Sequence, residues 1–111
     1  MNLLSETLDV MNENGKKPEN VVEVMWLDNP NESVYTGCSW EDFAEAARTI
    51  DYNNGFGTQE VEESLVVLFD DDSWLERFEY DGSERWNYKK CPCLAERLTS
   101  DVNAIRKKLV M

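Results

Sequence analysis

Histidine is absent from this 111-residue chain. With it goes the one side chain whose ordinary pKa lies between about 5 and 8, and with that the Ser-His-Asp and Cys-His nucleophile systems. No apolar run approaches the roughly 20 residues that span a bilayer. The opening stretch MNLLSETLDVMNENGKK has neither a basic start nor a long apolar segment, so a signal peptide is not expected and a cytosolic protein is. No glycine-rich phosphate loop or dinucleotide fingerprint occurs. Cysteine is sparse: Cys38, Cys91 and Cys93 make an odd number without a secretion signal, which argues for free thiols. Cys91-Pro-Cys93 with Cys38 offers three sulfur ligands, but zinc would then need a carboxylate or an outside group as its fourth. Reduced structural thiols are therefore expected, and no cofactor.

Positive charge is also scarce, and its distribution is uneven. The chain carries 23 acidic and 11 basic residues, a formal net charge of −12. Residues 18–84 hold 18 of the acids against only Arg48 and Arg77, whereas residues 85–111 hold Glu96 and Asp101 against seven bases. Such polarity gives a strong dipole and a long-range field. Phosphate-directed binding of nucleic acid by the acidic body is excluded on charge; a basic partner suits it. Apolar residues at 41% and aromatics at 11% exceed what disordered chains carry, so a folded domain is expected.

The pattern predicts a single α+β domain over 1–111: an antiparallel sheet of four to five strands with two to three helices packed mainly on one face. Leu4, Leu8 and Met11 predict a short helix over about 3–13, with Gly15 past its end and a linker to residue 17. VVEVMWL (21–27) reads as a strand, Asp28-Asn29-Pro30-Asn31 as a turn and residues 33–36 as a returning strand. Ser39 is placed to cap a helix ending near Ile50, with Glu41 and Asp42 in its first turn. SLVVLF (64–69) predicts a central strand. Residues 74–80 and 84–90 flank Asp81-Gly82, a hairpin signal. A two-residue loop would put the aromatics of the two strands on opposite faces. A three-residue loop gathers Trp74, Phe78, Tyr80, Trp86 and Tyr88 on one face and leaves Arg77 among polar residues on the other, so it is preferred here. Leu98, Val102, Ile105 and Leu109 predict a C-terminal helix within 94–111, capped by Thr99 or Ser100 and packed on the sheet. Trp26, Trp40, Trp74 and Trp86 are expected to fill the core.

Few chemical readings survive. Asp70, Asp71, Asp72, Glu76 and Glu79 supply carboxylates that hydrolysis or Mg²⁺ binding requires, but three consecutive aspartates also suit a turn. Asp51, Asn53 and Glu62 mimic positions of a calcium loop, yet Gly55 and Phe56 stand where a ligand and the obligatory glycine belong. No catalytic residue and no metal site is assigned. A carboxylate-based metal-dependent protein, or an acidic cytosolic domain of other role, stays as the alternative.

Same-face side chains on a strand repeat every roughly 6.6–7 Å, close to the phosphate spacing along one DNA strand, where duplex charge density is about one per 1.7 Å. Carboxylates on strands and loops can thus imitate a phosphate array. The candidate partner-binding residues are Glu60, Glu62, Glu63, Asp70, Asp71, Asp72, Glu76 and Glu79, with Glu41, Asp42 and Glu45 on the second helix. In size, acidity, lack of catalytic groups and unpaired cysteines the chain resembles small inhibitor proteins of phages and mobile elements, such as anti-CRISPR and anti-restriction DNA mimics. The stretch WLERFEYDGSERW (74–86) looks like a hairpin in small proteins of gut-bacterial mobile elements. The resemblance implies a cytoplasmic, non-enzymatic inhibitor that blocks the basic DNA- or RNA-binding surface of a defence effector. A membrane partner is not expected. The basic pole, Lys89, Lys90, Arg97, Arg106, Lys107 and Lys108, offers a second route, self-association with the acidic face of another copy.

Overall fold

Asn2 begins the ordered structure by accepting the Ser5 N–H on its side-chain oxygen at 3.0 Å, which caps helix α1 (Leu3–Glu13) and satisfies an orphan amide of its first turn. Leu3, Glu6, Thr7 and Met11 form the buried stripe, at helical spacing. The helix stops because Gly15 takes φ +70°, a conformation that costs glycine nothing. The amides of Gly15 and Lys16 then reach back to the carbonyls of Asn12 and Met11 at 3.1 and 2.8 Å, the paired closure of a Schellman end.

The computed structural model describes residues 1–55, 57–92, 94–95 and 97–111. After one 3₁₀ turn at Pro18–Asn20 come β1 (Val21–Leu27), β2 (Tyr35–Cys38), α2 (Trp40–Ala47), β3 (Val66–Phe69), β4 (Ser73–Tyr80), β5 (Ser83–Lys90) and α3 (Val102–Leu109). The strands form one antiparallel sheet in the order β2-β1-β3-β4-β5. The predicted α+β class is correct and β3 is the central strand. β2 begins two residues later than expected, β3 begins at Val66, and α2 ends at Ala47 rather than near Ile50.

One register row crosses the whole sheet as Cys38, Val24, Val67, Leu75 and Tyr88. Val24, Val67 and Leu75 have no exposed surface, so this row is the floor of the core. Phe69 and Trp86 extend the floor, while Leu3 and Met11 of α1 and Phe43 and Ala47 of α2 join the same cluster. Ser39 caps α2 through the Asp42 amide at 3.2 Å. The opposite face carries Met25, Val66, Glu76 and Asn87 in a second row.

Three expectations need correction. The β4–β5 loop has two residues, since Tyr80 pairs with Ser83, Phe78 with Arg85 and Arg77 with Trp86. Asp81 and Gly82 take φ 53° and 85°, the two positive values of a type I′ turn, whose twist suits a hairpin. The register therefore puts Trp74, Phe78 and Tyr80 outward and buries Leu75 and Arg77. Of the four tryptophans only Trp86 is buried; Trp26, Trp40 and Trp74 are half-buried. Finally, α3 is not packed on the sheet. Asp101, not Thr99 or Ser100, caps it by accepting the amides of Asn103 and Ala104 at 3.0 and 3.2 Å, and none of its residues is buried. A radius of gyration of 17.0 Å, against about 13 Å for a compact chain of this length, reflects that projecting segment.

Candidate functional site

The buried face of β4–β5 encloses a charged group. Arg77 sits opposite Trp86 in register, its side chain fully covered. Its Nη2 donates to Glu84 Oε1 at 2.9 Å and to the Tyr52 hydroxyl at 3.0 Å, and its Nη1 donates to Glu6 Oε1 at 3.3 Å. The Tyr52 hydroxyl in turn donates to Glu6 at 2.5 Å. The guanidinium lies 4.8 Å from the Trp86 ring centre and 5.5 Å from that of Tyr52, within cation–π range. Burial by itself lowers the Arg77 pKa, but the Tyr52 hydrogen bond and the carboxylates of Glu6 and Glu84 outweigh it and the net shift is upward. Burial, then the hydrogen bond to Glu6, pushes the Tyr52 phenol up to about 12. Among the described residues, Arg77 Nε is the buried side-chain polar atom without a partner.

Glu84 does more than balance Arg77. Its Oε2 accepts the Glu60 amide at 2.6 Å and its Oε1 the Val61 amide at 3.1 Å. Two charge-assisted bonds of this kind fix a backbone segment that belongs to neither helix nor strand. That segment presents Glu60, Glu62 and Glu63, all exposed. Glu60 is further tied down by the Asn53 amide at 2.9 Å, and Glu62 by the Ser64 amide and hydroxyl at 3.0 Å. Trp86 locks the opposite side by donating from its indole to the Thr7 hydroxyl at 2.8 Å.

The predicted acids fall into separate groups. Glu41, Asp42 and Glu45 are exposed on α2. Helix α2 reaches the acidic segment through Phe43, Ala46 and Ala47, which line a cavity with Glu60, Val61 and Glu62; Glu41, Asp42 and Glu45 are not in that lining. Asp70, Asp71 and Asp72 form the β3–β4 turn at the other end of the sheet, where Ser73 and Trp74 pair with Lys90 and Lys89. There Lys16 forms an ion pair with Asp71. That hydrogen bond, with one from Ser73, holds the Asp71 carboxyl at about 2. Glu76 lies half-buried on the outward face, accepting the Trp74 indole N–H at 2.8 Å. Glu79 caps the hairpin through the Gly82 amide at 2.8 Å. The array is thus not one continuous face.

Other candidates are placed as follows. Asp51 Oδ1 accepts from the Asn2 side-chain amide at 3.1 Å, Asn53 accepts the Gly55 amide at 3.0 Å and Glu62 is engaged with Ser64, so each of the three calcium-like ligands is used in a hydrogen bond within the chain. Phe56 lies outside the described residues, as do Cys93 and Glu96. Among the described residues no three acid or cysteine side chains gather as metal ligands, and no helix is long and apolar enough to cross a membrane. Cys38 is half-buried, and burial, then the charges of Asp42 and Glu23, raise its thiol pKa. The buried Arg77 network was missed by sequence reasoning. Its only local signal is the spacing of Arg77, Glu84 and Trp86 about a two-residue turn. Comparison with known proteins gives no match: no family model, no curated sequence and no solved structure is similar to this chain.

Proposed function

We propose that the chain is a non-enzymatic acidic interaction protein that occupies the basic surface of a nucleic-acid-binding protein, as an inhibitor of the anti-CRISPR type would. The observation that carries this reading is the lack of exposed cations in the acidic body. Residues 18–84 contain 18 acids and two arginines; of the arginines Arg77 is buried and only Arg48 reaches solvent. Of the candidate acids only Asp71 is in an ion pair among the described residues.

The working surface is assigned to Glu60, Glu62 and Glu63, because Glu84 holds their segment rigid, with Glu41, Asp42 and Glu45 of α2 as a second exposed set. Pre-ordered charge avoids an ordering cost on association. Asp70–Asp72, Glu76 and Glu79 are secondary, since lysines stand beside the first three. Association by such a surface is fast at low salt and slows as the Debye length shrinks from about 10 Å at 0.1 M to about 3 Å at 1 M.

The test is capture from nuclease-treated bacterial lysate with wild type, E60K/E62K/E63K and D70K/D71K/D72K. A nucleic-acid-binding protein should be held by wild type, lost with the first triple variant and released by added duplex DNA. Capture that survives both reversals, or that duplex DNA leaves untouched, removes the proposal.

A further inference from the structure

We propose that the apolar cavity beside α2 receives helix α3 of a second copy, so that two chains exchange their C-terminal helices. The helix needs a partner. It has eight residues and none is buried, whereas isolated helices shorter than about 12–15 residues are marginal in water. At 100° per residue, Val102, Ile105 and Leu109 share one stripe, flanked by Arg106 on one side and Lys108 on the other. The stripe faces solvent: Val102 is 61% exposed, Ile105 39% and Leu109 78%.

The cavity has matching chemistry. It holds about 230 Å³, with Phe43, Ala46, Ile50 and Leu65 in its walls and Glu60 and Glu62 in its lining. Glu63 borders the adjoining cleft with them. An apolar stripe bordered by cations meets an apolar hollow bordered by carboxylates. On the outward sheet face Arg85 and Lys89 stand beside Glu76, so its charge is mixed and matches α3 less well than the cavity rim does.

No residue of the chain's own α3 is buried, so it does not fill its own cavity. Reciprocal exchange between two copies closes as a two-fold dimer. The inference does not require a foreign partner to bind.

The test is sedimentation equilibrium of the full chain across a concentration series, at low salt (about 0.05 M) and at about 0.5 M. Wild type should reach the mass of two chains at low salt and revert toward one at high salt. I105D/L109D on the helix and A46K in the cavity wall should each weaken association by about tenfold or more, with the near-ultraviolet circular dichroism of the aromatic core unchanged. A one-chain mass throughout overturns the proposal. So does doubling that both variants leave intact. A one-chain mass whose hydrodynamic radius grows in I105D/L109D would assign α3 to its own cavity. Binding of wild type to phosphatidylserine vesicles without self-association would assign α3 to a membrane surface. Either result also overturns the exchange.

Discussion

Replacing Arg77 by methionine keeps much of the side-chain volume but withdraws the only cation from between Glu6 and Glu84. Their side chains are 8% and 0% exposed, so neither can recover its lost partner from water. Glu84 keeps two backbone amides and Glu6 keeps the Tyr52 hydroxyl, which softens the loss without removing it. Breaking a buried ion pair from one side costs about 3–5 kcal/mol, about a fifth or more of the roughly 5–15 kcal/mol that holds a small domain together. At about 4 °C per kcal/mol, Arg77→Met should lower Tm by roughly 12–20 °C in calorimetry, and urea unfolding followed by tryptophan fluorescence should show the same loss. Removing the charges together, in E6Q/R77M/E84Q, should recover a large part of the loss, since a neutral cluster leaves no unpaired ion. A loss below about 1 kcal/mol in R77M, with nothing regained in the triple variant, would refute the claim that this network is dry and mutually dependent.

Other perturbations have defined outcomes. The Tyr52 phenol has its folded pKa raised from 10.0 to about 12, so its stabilising share is whole below pH 10 and is lost as pH climbs to 12. The fall is roughly 2–3 kcal/mol, visible as a drop in urea midpoint that Tyr52→Phe lacks. Asp71 behaves in the opposite sense, with its folded pKa lowered from 3.8 to about 2. Its share is present above pH 3.8 and disappears as pH falls through 2, so a Tm difference between wild type and Asp71→Asn at neutral pH should vanish in strong acid. Gly82→Val forces a branched residue to φ 85° and should cost about 1–2 kcal/mol by chemical denaturation. Leu75→Ala opens a hole in the fully covered floor of the core and should cost about 2–5 kcal/mol by the same assay.

Local signals in the sequence were strong where the decisive contacts are local. The capped stripe of α1, the run VVEVMWL and the turn-flanked hairpin all announce themselves within a dozen residues. The hairpin register did not, because it is settled from far away. Arg77 turns inward only because Glu6 and Tyr52 meet it there, 71 and 25 residues distant in sequence. A charged side chain considered alone belongs outside. The helix over residues 102–109 was legible from its spacing, but its cap at Asp101 and its failure to pack were not, since amphipathicity says that a face wants cover and not what covers it. Of the candidate surface, the acids and their exposure could be read from composition. The neighbourhood of α2 with residues 60–63, and the lysine set against Asp71, are tertiary facts that no pattern along the chain encodes.

The eight-residue strand β5 closes the sheet at one edge. An unpaired edge is a template on which further chains can stack into fibrils. Arg85, Lys89 and Lys90 fall on this one, and lysine and arginine there make strand-on-strand growth repulsive between identical molecules. These cations thus act as gatekeepers: substituting them with threonine or valine should yield a protein that forms thioflavin-positive fibres on standing.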